Sequence, residues 1–452
     1  MNIVFVFSDT FRRDHLDCYG KPPWGWDIQT PNLSRLAKES IVFDKFYGGS
    51  FPTIPTVHDI LTGQHCFQGT GIDFKNKPTL PMLLGKAGIT SFLVTDAHNY
   101  VTPAHGIHHG FTGFEFIRGQ QGDHYRTSPR NVNLPCHPDK VRQHEKLLVP
   151  HLRNTSGRVY EREWFAPRVF QTAIDWLETN HDQHDNFFLY IHSFDVHEPW
   201  DPPHYYVERY DPGYDGEEVI LPRYDRCDYL TEAEMNHCRA LYAGEIGLVD
   251  RWFGMLLGCI DHLGLRDNTA VIFTADHGFY LGDHGYIGKH AVLDRDKGWP
   301  LYNEIAHCPL LMRIPDITHG RYPTLAQHVD LMPTICGLAG LKPPDAIHGR
   351  SLLPILKDEN NKVRDLAITS QFLPKKSGLR TYSNVTDGEY ALVYAGAEAQ
   401  PELYHLSSDT REEHNIIDAE PEIARALHNH YIKRLKEIGA HEEIVSLRRA
   451  WL

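Results

Sequence analysis

The sequence predicts an α/β fold: a doubly wound, mostly parallel sheet followed by a small C-terminal antiparallel subdomain of strands and a helix. Three observations predict it. Short apolar runs recur at residues 3–8, 90–95, 186–193, 270–275 and 309–314, the pattern of strands buried on both faces of a parallel sheet. Helical periodicity fills the spaces between them. The texture then changes after about residue 360, where shorter strands are joined by turn residues.

The clearest helix follows Thr231-Glu232-Ala233-Glu234, which has the form of a capping box. Tyr242, Ile246, Val249, Phe253, Leu256 and Ile260 recur at spacings of three and four, which makes one apolar face. Gly264 stands where such a helix should end. Strands alternating with helices of this kind place helices on both faces of the sheet. Two stretches resist the pattern. Residues 117–160 and 201–228 are rich in Pro, His, Asp and Arg, and irregular segments of that length are usually lids or insertions.

Beyond about residue 360, runs at 366–372, 380–385 and 389–394 read as strands, with Asp387-Gly388 as a hairpin turn. A helix over 421–438 follows. The expected organisation is a catalytic domain over 1–358 and an antiparallel-sheet subdomain over 359–452.

Composition bounds the function. The formal charge of −14 argues against a nucleic-acid polymer as partner, because phosphate backbones select basic surfaces. No run approaches eighteen apolar residues, so no membrane span is expected. The first residues read as a core strand without a basic leader, and eight cysteines occur with no CxxC pair. Together these point to reduced thiols and a cytoplasmic protein. A homo-oligomer is left open.

Three segments carry the chemistry. Asp9 ends the first strand, followed by Thr10, Arg12 and Arg13. A later strand ends in Asp276-His277-Gly278. In α/β sheets the crevice beyond the carboxyl ends of strands holds the site, so these side chains can share a cation there. A carboxylate with an imidazole suits Zn²⁺ or Mn²⁺ better than Ca²⁺, which prefers oxygen alone. The third segment runs from Gly48 to Gly63. Pro55 suits a first helical turn, with Thr53 just before the helix. There its hydroxyl meets free N–H groups and the positive helix end. Each feature also has an ordinary structural reading as a turn or cap residue.

Taken together, these segments resemble the sulfatase family of the alkaline phosphatase superfamily. The resemblance runs nearly end to end. Its landmarks are Asp9, Cys18-Tyr19-Gly20, Thr30-Pro31-Asn32-Leu33, Leu61-Thr62-Gly63, Asp195-Val196-His197-Glu198-Pro199, Thr274-Ala275-Asp276-His277-Gly278, Gly288-Lys289, Asp330-Leu331-Met332-Pro333-Thr334, Gly349-Arg350-Ser351-Leu352-Leu353-Pro354 and Glu402-Leu403-Tyr404.

The departures bear on the reaction. Sulfatases carry Cys-x-Pro-Ser-Arg ahead of Leu-Thr-Gly, and oxidise the Cys (or a Ser) to formylglycine. Counting back from Leu61-Thr62-Gly63 puts the nucleophile at Thr53, with Pro55 kept, Thr56 for serine and Val57 for arginine. Threonine cannot become that aldehyde. The resemblance implies one divalent metal on Asp9, Thr53, Asp276 and His277, with Mn²⁺ or Zn²⁺ favoured over Ca²⁺. It implies catalytic roles for Thr53, for Lys289 on the transferred anion, and for His197 and His98 on the leaving-group side. Asp96 takes the place of a family lysine ahead of His98. A second metal on Asp96, Asp195 and the histidines 98, 105, 108 and 109 is weighed and set below a single-metal site.

The expected activity is hydrolysis of a small anionic ester through Thr53. A threonine ester lacks the elimination exit of a formylglycine hydrate, so water must attack the intermediate. Two family cations are missing, which disfavours a phosphomonoester dianion unless Arg12 or Arg13 compensates. A phosphodiester or phosphonate monoester is therefore preferred. The alternatives are a sulfatase working without formylglycine and an inactive anion- or glycan-binding pseudoenzyme.

Overall fold

A computed structural model of the chain describes residues 1–101, 105–128, 132–290, 298–357 and 362–451. Eight strands form the main sheet: β1 (Asn2–Ser8), β2 (Ile41–Tyr47), β3 (Thr90–Thr95), β4 (Gly113–Phe116), β5 (Phe187–Ser193), β6 (Thr269–Thr274), β7 (Leu310–Arg313) and β8 (Gly320–Gln327). Their order is β8-β2-β7-β6-β1-β5-β3-β4. β1 is central and pairs in parallel with β5 and β6.

Side chains of β1 alternate between two cores, as the period of two dictates. Val4 and Val6 enter one core with Val169 and Phe170 of α2 (Phe165–Asn180) and with Ile246, Val249 and Phe253 of α3 (Glu232–His262). Ile3, Phe5 and Phe7 enter the other, with Val57, Ile60 and Leu61 of α1 (Thr53–Thr62). A strand covered on both faces can be apolar throughout, which is why its sequence does not alternate. The capping box of α3 forms: Thr231 accepts from the Glu234 N–H at 3.2 Å, and the Glu234 carboxylate accepts from the Thr231 N–H at 2.9 Å.

One expected strand differs in direction. β7 runs antiparallel to both β6 and β2. The segment before it stays at the carboxyl end of the sheet, where the Glu304 carbonyl packs against Gly278. The chain must then run back through the sheet, and an apolar run carries no sign of its direction. β2, β4 and β8 were not expected as strands. β2 is interrupted by Asp44-Lys45, and the exposed side of β8 alternates with polar residues.

The irregular stretches 117–160 and 201–228 pair with each other. Val141 bridges Pro222, the Arg142 N–H donates to the Leu221 carbonyl at 3.2 Å, and the Arg223 N–H donates to the Lys140 carbonyl at 2.8 Å. Their described residues meet beside the carboxyl end of β5, where Gln120 binds Asp195 and Arg142 binds Glu198.

The C-terminal sheet is antiparallel: β9 (Ala367–Ser370), β10 (Ser383–Thr386), β11 (Tyr390–Tyr394) and β12 (Glu402–His405). A third core holds it to α4 (Pro421–Glu437) and α5 (Glu442–Arg448). The sequence pattern showed one helix there, and α5 is a second. The boundary expected at 358/359 lies outside the described residues.

Several landmark residues hold the frame. Asp250 of α3 accepts the N–H groups of Asn32 (3.1 Å) and Leu33 (2.7 Å), closing the start of the helix that follows Thr30. Asp330 is buried against Arg364 and accepts the Arg350 N–H at 2.8 Å. A side chain at position 349 would meet the Val329 carbonyl at 1.8 Å, so only glycine fits. No helix among the described residues is long and apolar enough to cross a membrane.

Candidate active site

The site is assembled at the carboxyl ends of β1 and β6. Asp9 leaves β1 with its N–H bound to the Ser193 carbonyl of β5 at 2.9 Å. Thr10 adopts a left-handed conformation (φ 62°) and donates its N–H to Asp276 Oδ1 at 2.8 Å. That bond ties the two strand ends together. Asp276 Oδ1 also accepts the His277 N–H at 2.9 Å. One oxygen of each carboxylate is thereby occupied, Asp9 Oδ1 accepting the Thr10 hydroxyl at 2.7 Å. The other two, Asp9 Oδ2 and Asp276 Oδ2, are buried and have no hydrogen-bond partner.

His277 completes the group. Its Nδ1 donates to the Gly278 carbonyl at 2.8 Å, which leaves Nε2 as an acceptor with its lone pair turned inward. Nε2 lies 3.2 Å from Asp276 Oδ2 and 3.5 Å from Thr53 Oγ1. Gly278 is required here, because a Cβ would stand 1.9 Å from the Glu304 carbonyl. Burial first, against the pull of Asp276, depresses the His277 pKa to about 3, so the ring is neutral near pH 7. Asp9 moves the other way. Burial and then the neighbouring Asp276 hold its pKa well above the usual carboxylate range.

Two bare buried carboxylate oxygens and a neutral imidazole held through its far nitrogen form the donor set of a divalent cation. Asp9, Asp276 and His277 offer ligand atoms all within 4.8 Å of one another. The residues fit such an ion. Without one, two desolvated carboxylates face each other, which is costly.

Thr53 lies against this group. It is the first residue of α1, and its Oγ1 is 3.5 Å from both Asp9 Oδ1 and His277 Nε2. The helix N-cap is Pro52, and the Thr53 hydroxyl is directed to Asp9 and His277 instead. Lys289, 4% exposed, reaches the same point, with Nζ 3.4 Å from His277 Nε2 and 3.4 Å from Thr10 Oγ1. Asp9, Thr53, Asp276, His277 and Lys289 are thus brought together from four separate segments.

His197 is near but differently engaged. Its Nδ1 donates to the Glu198 carbonyl at 2.6 Å. Burial, then Lys289 and Arg142, push its pKa well below the usual histidine value. His98 is not drawn into the cluster. The charges facing it are Asp123, Arg118 and His124. Asp96 is fully buried and accepts the Phe194 N–H at 2.8 Å, and Asp195 is held by Gln120 and the Ala166 N–H at 2.8 Å each.

Neither arginine near Asp9 compensates for the missing cations. Arg12 is buried among Asp14, Asp283 and the Phe279 carbonyl, at 2.6, 2.6 and 3.0 Å. Arg13 turns to the Asp44 carbonyl and the Tyr19 ring, at 3.2 and 4.0 Å. Arg142 comes closer. Carried in by the first insertion, it binds Glu198 at 2.5 Å and lies 4.4 Å over the Tyr224 ring from the second insertion. Nothing local in the sequence marks Arg142 or Tyr224, since both come from aperiodic loops. Glu198 is visible only as a neighbour of His197.

A second cluster of ligand type, His58, Asp59 and Cys66, is already satisfied. Asp59 accepts from the Ser50 N–H and hydroxyl (2.7 Å each), His65 (2.8 Å) and the Cys66 N–H (3.2 Å). It anchors the loop that leads into Thr53. A side chain on Gly49 would meet Asp59 Oδ2 at 2.2 Å.

Comparison with known proteins agrees with this architecture. Residues 1–341 match a family model described as Sulfatase, and residues 288–440 match one described as N-sulphoglucosamine sulphohydrolase, C-terminal. An N-acetylglucosamine-6-O-sulfatase of Bacteroides thetaiotaomicron is 25% identical, over 92% of this chain and 82% of its own. An arylsulfatase of Clostridium perfringens is 24% identical, over 98% of this chain and 95% of its own. Among solved structures, a protein in complex with its substrate D-glucosamine-2-N,6-O-disulfate superposes with a TM-score of 0.72 at 20% identity, covering 97% of this chain and 99% of its own. A phosphonate monoester hydrolase of Agrobacterium radiobacter also gives 0.72, at 19% identity over 97% and 95%. These structural likenesses speak for the fold.

Proposed function

The chain belongs to the sulfatase family, whose members are metal-dependent, and from that premise we propose that it hydrolyses a singly charged anionic ester with Thr53 as nucleophile. A phosphodiester or phosphonate monoester is the preferred substrate class. The observation that carries this reading is the position of Thr53 Oγ1: first turn of α1, 3.5 Å from Asp9 and from His277.

Asp9, Asp276 and His277, with Thr53 Oγ1, would hold the divalent cation, and the imidazole in the set favours Mn²⁺ or Zn²⁺ over Ca²⁺. When bound, the cation supplies Lewis acidity that lowers the pKa of the threonine hydroxyl. The hydroxyl proton is lost to water, and the positive end of α1 and Lys289 hold the oxygen as an alkoxide. Thr53 Oγ1 forms a bond to phosphorus as the bond to the leaving oxygen breaks. Lys289 then neutralises charge on the non-bridging oxygens. A water molecule attacks phosphorus from the vacated side, the Thr53–phosphorus bond breaks, and the threonine regains its proton.

His197 is better suited to contact than to proton donation. Its Nδ1–H is committed to a carbonyl, and its depressed pKa leaves Nε2 without a proton near pH 7. It can accept a hydrogen bond from a hydroxyl on the leaving-group side. The leaving oxygen then takes its proton from water. With the two family cations absent and Arg12 and Arg13 turned elsewhere, a dianion has only Lys289 and the bound cation to neutralise it, which favours a monoanion.

A second reading, sulfate-ester hydrolysis, rests on the relatives named as sulfatases over nearly the whole chain. The test is direct. Purified protein is analysed for bound metal and assayed on nitrophenyl sulfate, nitrophenyl phosphate, bis(nitrophenyl) phosphate and a nitrophenyl phenylphosphonate. The diester and phosphonate should lead. Thr53→Ala should abolish turnover and Thr53→Ser should retain part of it. Full activity in Thr53→Ala would overturn the nucleophile, and a leading rate on the sulfate would establish the second reading. Ligand binding without turnover of any ester would make the chain a pseudoenzyme.

A further inference from the structure

Neither arginine of the strand-end motif serves the reaction, but while Arg12 is paired with Asp14 and Asp283, Arg13 is paired with no carboxylate among the described residues. It lines a cavity of about 670 Å³ between the main sheet and the C-terminal subdomain. None of Asp9, Thr53, Asp276, His277 and Lys289 borders this cavity. The segment 304–308 separates the two places, with the Glu304 carbonyl against Gly278 and Cys308 Sγ 3.4 Å from the Asp276 carbonyl.

The wall carries four cations, Arg13, Lys21, Lys45 and Arg411, and four carboxylates, Asp14, Asp44, Glu304 and Glu389, but they are not paired with one another: Lys21 binds Asp27, and Glu389 lies 3.7 Å from His405. Each acid on its wall near Arg13 is engaged elsewhere: Asp14 with Arg12, Asp44 with Arg321, and Glu304 with His284. Arg13, Lys45 and Arg411 form no ion pair with a carboxylate among the described residues. The Arg13 guanidinium is also substantially desolvated. Its Nε is buried with no partner, and burial lowers its pKa. Arg13 is half-buried and held by a carbonyl and a ring rather than by a carboxylate, and a partly desolvated cation of that kind gains from an added counter-charge. Lys45 lies across Gly388, where an added Cβ would stand 3.4 Å from its Nζ. That puts its charge at the junction with the subdomain. Tyr47 and His307 stack in parallel at 4.4 Å and make a flat wall.

We propose that this cavity is a second, non-catalytic binding site for a small polyanion carrying two or more phosphate or sulfate esters, with Arg13, Lys45 and Arg411 as its cations. The volume lies in the range of ordinary ligand sites. Arginine forks and a lysine ammonium are the groups that phosphate and sulfate oxygens take. The wall is built from the strand-end loop, β2, the 303–307 segment and the subdomain, so an occupant ties the two sheets together. The overall charge of −14 does not oppose this, because a ligand meets the local field.

The experiment is calorimetric titration of the Thr53→Ala protein, loaded with metal, with two probes: inositol hexakisphosphate and sucrose octasulfate. One probe should bind with a stoichiometry of one, and the tighter of the two identifies a phosphate or a sulfate ligand. Arg13→Gln/Arg411→Gln should weaken binding at least about tenfold, as loss of two charge-assisted contacts implies. Lys45→Gln/Arg411→Gln, which spares the half-buried Arg13, should weaken it comparably. Both pairs of substitutions, placed in the Thr53 protein, should leave aryl-ester turnover unchanged. Saturating probe should raise the melting temperature of the parent and not of the variants. Affinities within twofold of the parent in both variants would overturn the proposal. So would loss of binding in Lys289→Ala alone, since the probe would then have been at the reaction centre.

Discussion

Replacing Asp59 by asparagine should uncouple the nucleophile from its frame. Asp59 is fully buried, and its two oxygens accept four hydrogen bonds. Asparagine keeps the Oδ1 side, where the Ser50 hydroxyl (2.7 Å) and Cys66 N–H (3.2 Å) bind. Its NH₂ replaces Oδ2, where the Ser50 N–H (2.7 Å) and His65 Nδ1 (2.8 Å) arrive. Two donors would then face a donor. Each buried group left unpaired costs about 1–3 kcal/mol, which gives a loss of about 2–6 kcal/mol, or about 1–3 if His65 changes tautomer and accepts. The loop from Gly48 to Pro52 leads straight into Thr53, so turnover should fall as well, on the order of 100-fold for a displacement near 1 Å. Urea unfolding of both proteins at equal m-value measures the first effect, and nitrophenyl-ester kinetics the second.

The same substitution has a pH signature. Burial by itself works to raise the Asp59 pKa, yet His65 and His58 beside it hold it well below the usual value. A depressed carboxylate contributes stability that is complete above its unfolded pKa of about 3.9 and is lost as pH falls through the folded one. The gap between the native protein and Asp59→Asn should therefore narrow below about pH 4. A stability difference under about 0.5 kcal/mol at neutral pH, with an unchanged rate, would refute the assignment of Asp59 as the anchor.

Further consequences concern the reaction. Lys289→Gln should lower turnover by about 10²–10³, as loss of one charge-stabilising donor does, with folding unaffected by circular dichroism. Burial and Asp276 raise the Asp9 pKa above the usual carboxylate range, so a proton and a cation compete for the same carboxylate. Apparent Mn²⁺ affinity should thus rise with pH, by about tenfold per unit at most for one competing proton, and calorimetry in buffers of different ionisation heat should detect proton release on binding. Chelation should abolish turnover and Mn²⁺ or Zn²⁺ restore it. With His197 unprotonated near pH 7, turnover should depend steeply on the leaving group. A series of substituted phenyl esters should show rates falling as the phenol pKa rises, and a flat series would restore an acid role to His197.

The pairing of the two irregular stretches changes how they are read. As sequence they look like independent insertions. In the structure, backbone bonds between 140–142 and 221–223 join them. Arg142 and Tyr224 meet on Glu198, one residue from His197. Loop residues carry no periodicity, so their partners are set by the scaffold they cross.

By itself the sequence determined what depends on local pattern. Apolar runs marked β1, β3, β5 and β6 because a strand covered on both faces favours apolar residues at successive positions, with its buried polar residues kept mostly to the strand ends. Thr231 and Glu234 marked the start of α3 because a capping box is complete within four residues. The motif residues marked Asp9, Thr53, Asp276, His277 and Lys289. Only the tertiary structure decided that these five converge, that β7 runs backwards, that His98 faces Asp123, and that Arg12 is spent on Asp14 and Asp283 while Arg13 is not. Direction, convergence and charge balance are relations between segments distant in the chain. They arise when packing brings those segments within a few ångströms, where a hydrogen bond or an unpaired charge first acquires a cost.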